Sequence, residues 1–147
     1  LRGGTLKIPT KADASDPGII TADDVKMMVK NQGIDPIGEG DCVFLYTGHG
    51  NIWHPSKWDS FDAAEKQKRV AAFNAGEPGF GISACNYLAE RKIILTGADT
   101  WAVEAVGPGF AGESGEIFEC HAQLMPRRGI WNLENLDLSQ LGRQQGL

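Results

Sequence analysis

Two short, continuous apolar runs constrain this chain most. Cys42-Val43-Phe44-Leu45-Tyr46-Thr47 is rich in strand formers and is stopped by Gly48-His49-Gly50. Ile93-Ile94-Leu95-Thr96 is the second, and it ends at Gly97-Ala98-Asp99-Thr100. Short apolar runs bounded by glycine suit buried strands, of the kind found in parallel sheets covered by helices. Ile130 to Leu133 reads as a further strand, and Ile117 to His121 as a strand or an extended approach.

Helical patterns alternate with these runs. Thr21 and Asp24 have capping-box spacing, Val25, Met28 and Val29 share one helical face, and Gly33 lies just past the end. Residues 62–73 have helical composition. Ser83 reads as the N-cap of a helix reaching about Arg91, with Ala84, Cys85 and Leu88 as its apolar stripe. A short helical turn fits 122–128, closed by Gly129. Residues 1–20 read as irregular, 76–81 and 107–115 as loops, and Gly142 to Leu147 as a polar tail. The turns lack hairpin dipeptides such as Asn-Gly, which argues against an all-β meander. A single α/β or α+β domain over residues 1–147 is the expectation.

Composition removes several function classes. A formal charge of −5 and a pI near 5.1 argue against nucleic acid, whose recognition needs a basic footprint. No apolar run approaches the roughly 18–20 residues of a membrane span. Cys42, Cys85 and Cys120 are widely spaced and form no CxxC pair. Reduced, mostly buried thiols in a cytoplasmic protein are the simplest reading.

Several residues could carry chemistry. His121 and Glu134 offer imidazole nitrogen and carboxylate oxygen, both good ligands for zinc or manganese, and a turn at Gly129 could bring them together. The alternative is a core histidine satisfied by a backbone bond, and a surface glutamate. His49, in a glycine-flanked loop after a strand, is a candidate general acid/base, or a loop histidine that packs or faces water. His54 lies five residues on, which is not the HExxH spacing. Asp99, at the end of a strand, could touch a site there or cap the local turn. The loop Gly107-Pro108-Gly109-Phe110-Ala111-Gly112 fits neither a Walker A nor a dinucleotide fingerprint. Ser83 and Ser114 lack a GxSxG elbow. Trp53, Trp58 and Phe61 read as ordinary core or interface aromatics.

Four segments, in order, resemble the cyclase family, which includes bacterial kynurenine formamidase and isatin hydrolase. Val43-Phe44-Leu45-Tyr46-Thr47-Gly48 is similar to its V-L-I-x-T-G element. Pro78 to Ser83, followed by Tyr87-Leu88-Ala89-Glu90-Arg91, resembles P-G-I-S … W-L-A-E-R with Phe80 and Gly81 inserted. Gly97-Ala98-Asp99-Thr100-Trp101-Ala102-Val103-Glu104 resembles G-x-D-T-x-x-V-E. His121 to Leu124, then Gly129-Ile130 and Leu133-Glu134-Asn135-Leu136, resembles H-x-x-L-L … G-I … E-N-L.

The resemblance implies a swivelling β/β/α domain, a homo-oligomer, and hydrolysis of a small-molecule cyclic amide, formamide or lactone with bound zinc or manganese. It assigns His121 and Glu134 to the metal site. The family's H-x-G-T-H-x-D motif, which supplies most metal ligands, is absent from these residues. The expectation is therefore a C-terminal portion of the domain, incomplete at its N-terminus. An upstream segment or partner chain would complete the site, and His49 is a candidate proton shuttle. A non-catalytic remnant that binds a small ligand or partner is the alternative.

Overall fold

The computed structural model describes residues 18–108 and 112–144. Its first helix follows from local chemistry. Thr21 caps α1 (Ala22–Gln32) through a reciprocal box with Asp24, and Gly33 closes it at φ 62°. Helix α1 leans on α3 (Ile82–Glu90), whose Ala84, Cys85, Leu88 and Ala89 are all buried. Helix α2 (Ala63–Phe73), capped by Asp62, buries only Phe73. It closes over the loop after strand β2 (Cys42–Leu45).

Strands β2, β4 (Leu95–Ala98) and β5 (Trp131–Leu133) form a parallel sheet in the order β2-β4-β5. Cys42 pairs with Leu95 and Leu95 with Trp131. A second, two-stranded parallel sheet joins β1 (Ile19–Ile20) to β3 (Gly79–Phe80). Helix α4 (Glu119–Arg128) packs on α3 and β5, and α5 (Ser139–Gln144) follows. The core gathers Phe80, Leu88, Val103, Leu124 and Ile130 where the helices meet the sheets. This is a mixed α/β fold of parallel sheets flanked by helices, in line with the α/β expectation.

Several local expectations change. Among the described residues strand β2 is an edge strand rather than a fully buried one: Cys42 and Phe44 are exposed, while Leu45 faces the core. Apolarity along the run hid this, because period-two burial is invisible when both faces are apolar. The second strand forms at Leu95–Ala98, two residues later than its apolar run. Ile117 to His121 is not extended; the chain turns at Phe118, with φ 61°, and α4 begins at Glu119. Gly81, not Ser83, caps α3, and the Ser83 hydroxyl accepts from the Ala22 amide, tying α3 to α1. Ile19–Ile20 and Gly79–Phe80 pair as strands inside stretches read as irregular, and residues 142–144 are helical. Residues 1–17 and 145–147, and residues 109–111 of the glycine-rich loop, lie outside the described residues.

The thiols also differ. Cys85 and Cys120 are joined by a disulfide between α3 and α4, and only Cys42 is free, at the surface. Phe73, Trp53, Trp58 and Phe61 form a row of successive ring contacts, with the Arg69 guanidinium 4.2 Å over Phe61. Among the described residues, no helix is long and apolar enough to cross a membrane.

Candidate functional site

Parallel strands deliver their C-terminal ends to one side of a sheet, where ligand sites of α/β folds gather. Here the loop after β2 carries His49, the segment after β4 runs from Asp99 to Glu104, and Glu134 follows β5 directly. Helix α4 brings His121 to the same edge, within its first turn.

Asp99 organises the first of these loops. Its Oδ1 accepts from the Thr47 amide (2.8 Å) and hydroxyl (2.7 Å), and its Oδ2 from the amides of Gly48 (2.8 Å) and Gly50 (3.3 Å). The carboxylate thus caps a neighbouring loop rather than its own turn. A Cβ at Gly50 would stand 2.7 Å from the Asp99 carbonyl oxygen, so only glycine lets the loop approach this closely. His49 is consequently tucked inward. Its Nε2–H donates to the Phe73 carbonyl at 3.1 Å, and its ring lies 4.7 Å from that of Phe73. Burial pushes its pKa below the ordinary value, against the backbone bond and the Asp99 charge. The carbonyl can only accept, so the neutral ring keeps its proton on Nε2.

His121 has the opposite surroundings. Nδ1 faces Glu104 Oε1 at 2.9 Å, and Nε2 faces Glu134 Oε1 at 2.9 Å. The other oxygen of Glu104 accepts from the His121 amide at 3.0 Å. The hydrogen bond to Glu104 is the main reason the His121 pKa is raised; burial opposes it, and the charges of Glu104 and Glu134 add to it. Two carboxylates facing the two ring nitrogens favour the imidazolium form over the neutral ring.

Glu134 is held in turn. Its Oε1 accepts from the Val103 amide at 3.2 Å. The chain then reverses at Asn135, with φ 53°, a conformation asparagine tolerates, and the Asn135 amide donates to the Thr100 carbonyl at 2.8 Å. The structure brings His121 and Glu134 side by side, with the turn at Gly129 between α4 and β5. No hydrogen bond or ion pair joins His49 to either, and His54 and Thr100 contribute no group to the pair.

Two further carboxylates at this edge carried no signal of a role in the sequence. Glu104 ends a quoted motif but had no assigned partner. Glu77 is buried at 3% exposure, and its oxygens accept from the Trp101 and Ala102 amides, each at 2.7 Å. Burial raises its pKa to about 7, against those two bonds, with the charges of Glu134 and Asp99 adding to the rise. Glu77 Oε2 lies 3.9 Å from His49 Nε2. Both groups are shifted toward their neutral forms, and Nε2 is already bonded to Phe73, so the contact is between neighbours rather than ions. A cleft of about 370 Å³ opens beside Glu77, walled by Phe73, Asn74, Trp101, Val106 and Pro108.

The donor chemistry fits zinc or manganese in part. His121 Nε2 and a Glu134 oxygen sit as close as two ligands of one ion, and Glu104 backs the imidazole as outer carboxylates do at metal sites. A catalytic zinc usually takes three protein ligands. Among the described residues, no group of three or more His, Cys, Asp or Glu side chains is arranged to hold a metal.

Residues 1–105 match the model of the Cyclase family, and the chain belongs to that family. Its fold is similar to two solved structures. One is a cyclase, at TM-score 0.68 and 20% identity, with 98% of this chain and 40% of that chain covered. The other is an isatin hydrolase bound to the product analogue thioisatinate, at TM-score 0.60 and 24% identity, with 88% and 44% covered. This chain thus spans less than half the length of either. No curated protein matches it.

Proposed function

We propose that this chain is a binding module of the cyclase fold, which holds a small ligand or a partner at the C-terminal edge of its three-stranded sheet and does not hydrolyse on its own. One observation carries this reading: the edge offers a paired imidazole and carboxylate, His121 and Glu134, without a third metal donor among the described residues. Two donors bind a divalent ion weakly and leave a catalytic coordination shell unfilled.

A second reading is favoured by the Glu104 contact to His121 Nδ1. In a longer protein or an assembly, donors from an upstream segment or another subunit would complete a zinc or manganese site. The complete enzyme would be a metal-dependent hydrolase of a cyclic amide, formamide or lactone, acting as a homo-oligomer in the cytoplasm. His121 Nε2 and Glu134 would hold the ion, which when bound acidifies a water and polarises a carbonyl. This chain's own part is narrower. Glu104 fixes the ring orientation, and His121 must release its Nε2 proton before that nitrogen can donate to a metal. His49 stands as a proton-shuttle candidate only through its unprotonated Nδ1.

The test is turnover of a formanilide, a cyclic imide and a lactone by the chain alone, with and without Zn²⁺ or Mn²⁺. We expect no turnover, and weak metal binding that His121→Ala abolishes. Metal-dependent turnover lost in His121→Ala would sink the module reading and establish the hydrolase.

A further inference from the structure

Three successive amides, those of Trp101, Ala102 and Val103, donate to carboxylates from two separate parts of the chain. The first two meet Glu77, and the third meets Glu134. Consecutive backbone N–H groups that converge in this way form a concavity suited to anions. The next residue, Glu104, turns its side chain to the His121 ring and amide. A four-residue segment therefore holds both members of the His121–Glu134 pair, one by its backbone and one by its side chain.

Glu77 secures the first half of that segment. Its own backbone is fixed by a two-way bridge to Val106, with N···O distances of 2.7 and 3.1 Å. Gly79 continues the close passage: a Cβ there would stand 2.3 Å from the Glu104 carbonyl carbon. Two amide donors require two acceptor oxygens on one side chain, and only a carboxylate supplies both; glutamine offers one oxygen and presents its NH₂ to the other amide. Keeping an acid here carries a desolvation cost, visible in its raised pKa. A residue that filled space alone would not need the charge.

We infer that Glu77 is a positioning residue for the His121–Glu134 pair, acting through the 101–104 segment rather than by touching a ligand. The inference builds on the reading of that pair as the binding site, and its test does not depend on a metal.

The experiment is amide hydrogen exchange by NMR at pH 8 on the whole chain and its Glu77→Gln variant. The Val103 and His121 amides, bonded to Glu134 and Glu104, should exchange at least about tenfold faster in the variant. Core amides such as Leu88 and Leu124 should stay within about twofold. Unchanged protection at Val103 and His121 would overturn the proposal. So would an equal loss at all four amides, which would mark Glu77 as a general stabiliser. Should Glu77→Gln fail to fold, Glu77→Asp, with both acceptors on a shorter arm, carries the same comparison and the same outcomes. Mn²⁺ added to the same samples separates the two readings. No line broadening at His121, alongside selective exchange, would remove the metal reading and leave the positioning role of Glu77 in place.

Discussion

The two histidines at the sheet edge show how one side chain can be set to opposite purposes. His49 is buried against Phe73, and that burial favours its neutral form over the opposing bond to a backbone carbonyl. His121 lies between Glu104 and Glu134, so its charged form is favoured. The carboxylate nearest in sequence logic to His49, Asp99, spends its oxygens on four loop donors instead of on the ring. Burial wins at His49, whose ring bonds only a backbone carbonyl, and the direct bond to Glu104 wins over burial at His121.

The frames around the two histidines differ as well, and this gives the largest expected effect. His121 follows Cys120, which is bonded to Cys85, whereas the His49 loop has no covalent tie. Replacing both cysteines by alanine should cost about 4 kcal/mol, the entropic scale for a loop of this length. Urea unfolding would read it, and an unchanged midpoint would show that α4 needs no staple to hold His121.

Asp99→Asn strikes the other side. An amide cannot accept at both positions, so loop donors are left facing an NH₂ group, at a cost of about 3 kcal/mol. The loss should be accompanied by shifts in the NMR signals of Gly48, His49 and Gly50, with those of His121 undisturbed. Equal disturbance at both histidines would break the picture of two independently held regions.

Glu104→Gln should cost about 2 kcal/mol, the scale of a hydrogen bond to a charged group. It should also lower the His121 titration midpoint toward the ordinary value and leave that of His49 in place. An NMR titration of the ring protons checks both halves.

The smallest effect is a crossing of pH profiles in the metal-free protein. The His121 pKa is raised, so its contribution is fully present below pH 6.5 and fades as pH rises through its folded value. The His49 pKa is lowered, so its contribution is present above pH 6.5 and fades as pH falls through its folded value. Relative to the parent, His121→Gln should lose melting temperature as pH falls from 8 to 6. His49→Gln should recover some as pH falls from 7 to 5. Movement of both differences in one direction would contradict the opposite settings.

Much of the scaffold was legible from the chain. Thr21, Asp24 and Gly33 announce α1 because caps act within a few residues. The 62–73 helix could be read from its helical composition and the Ile130–Leu133 strand from its apolar residues, which are also local signals. The α4 start could not: Ile117 and Phe118 look like strand formers, yet Phe118 turns the chain and leaves its ring edge-on to His121 at 5.3 Å. Of the site, the His121–Glu134 pair was readable through its motif, whereas Glu104 and Glu77 were not. Their partners lie 17 and 24 or more residues away, and no periodicity reports such separations.

The sequence by itself determined the mixed α/β class and the first two helices, and it offered His121 and Glu134 as candidates flanking the Gly129 turn. These rest on short-range capping, apolar runs and a motif whose parts are close in the chain. Only the tertiary structure decided that Asp99 serves the His49 loop, that Cys85 and Cys120 are joined, and that β2 is an edge. It also decided that Glu77 reaches the 101–104 segment. Each of these depends on which parts of the chain lie side by side, and that is set by packing of the whole core rather than by any local preference.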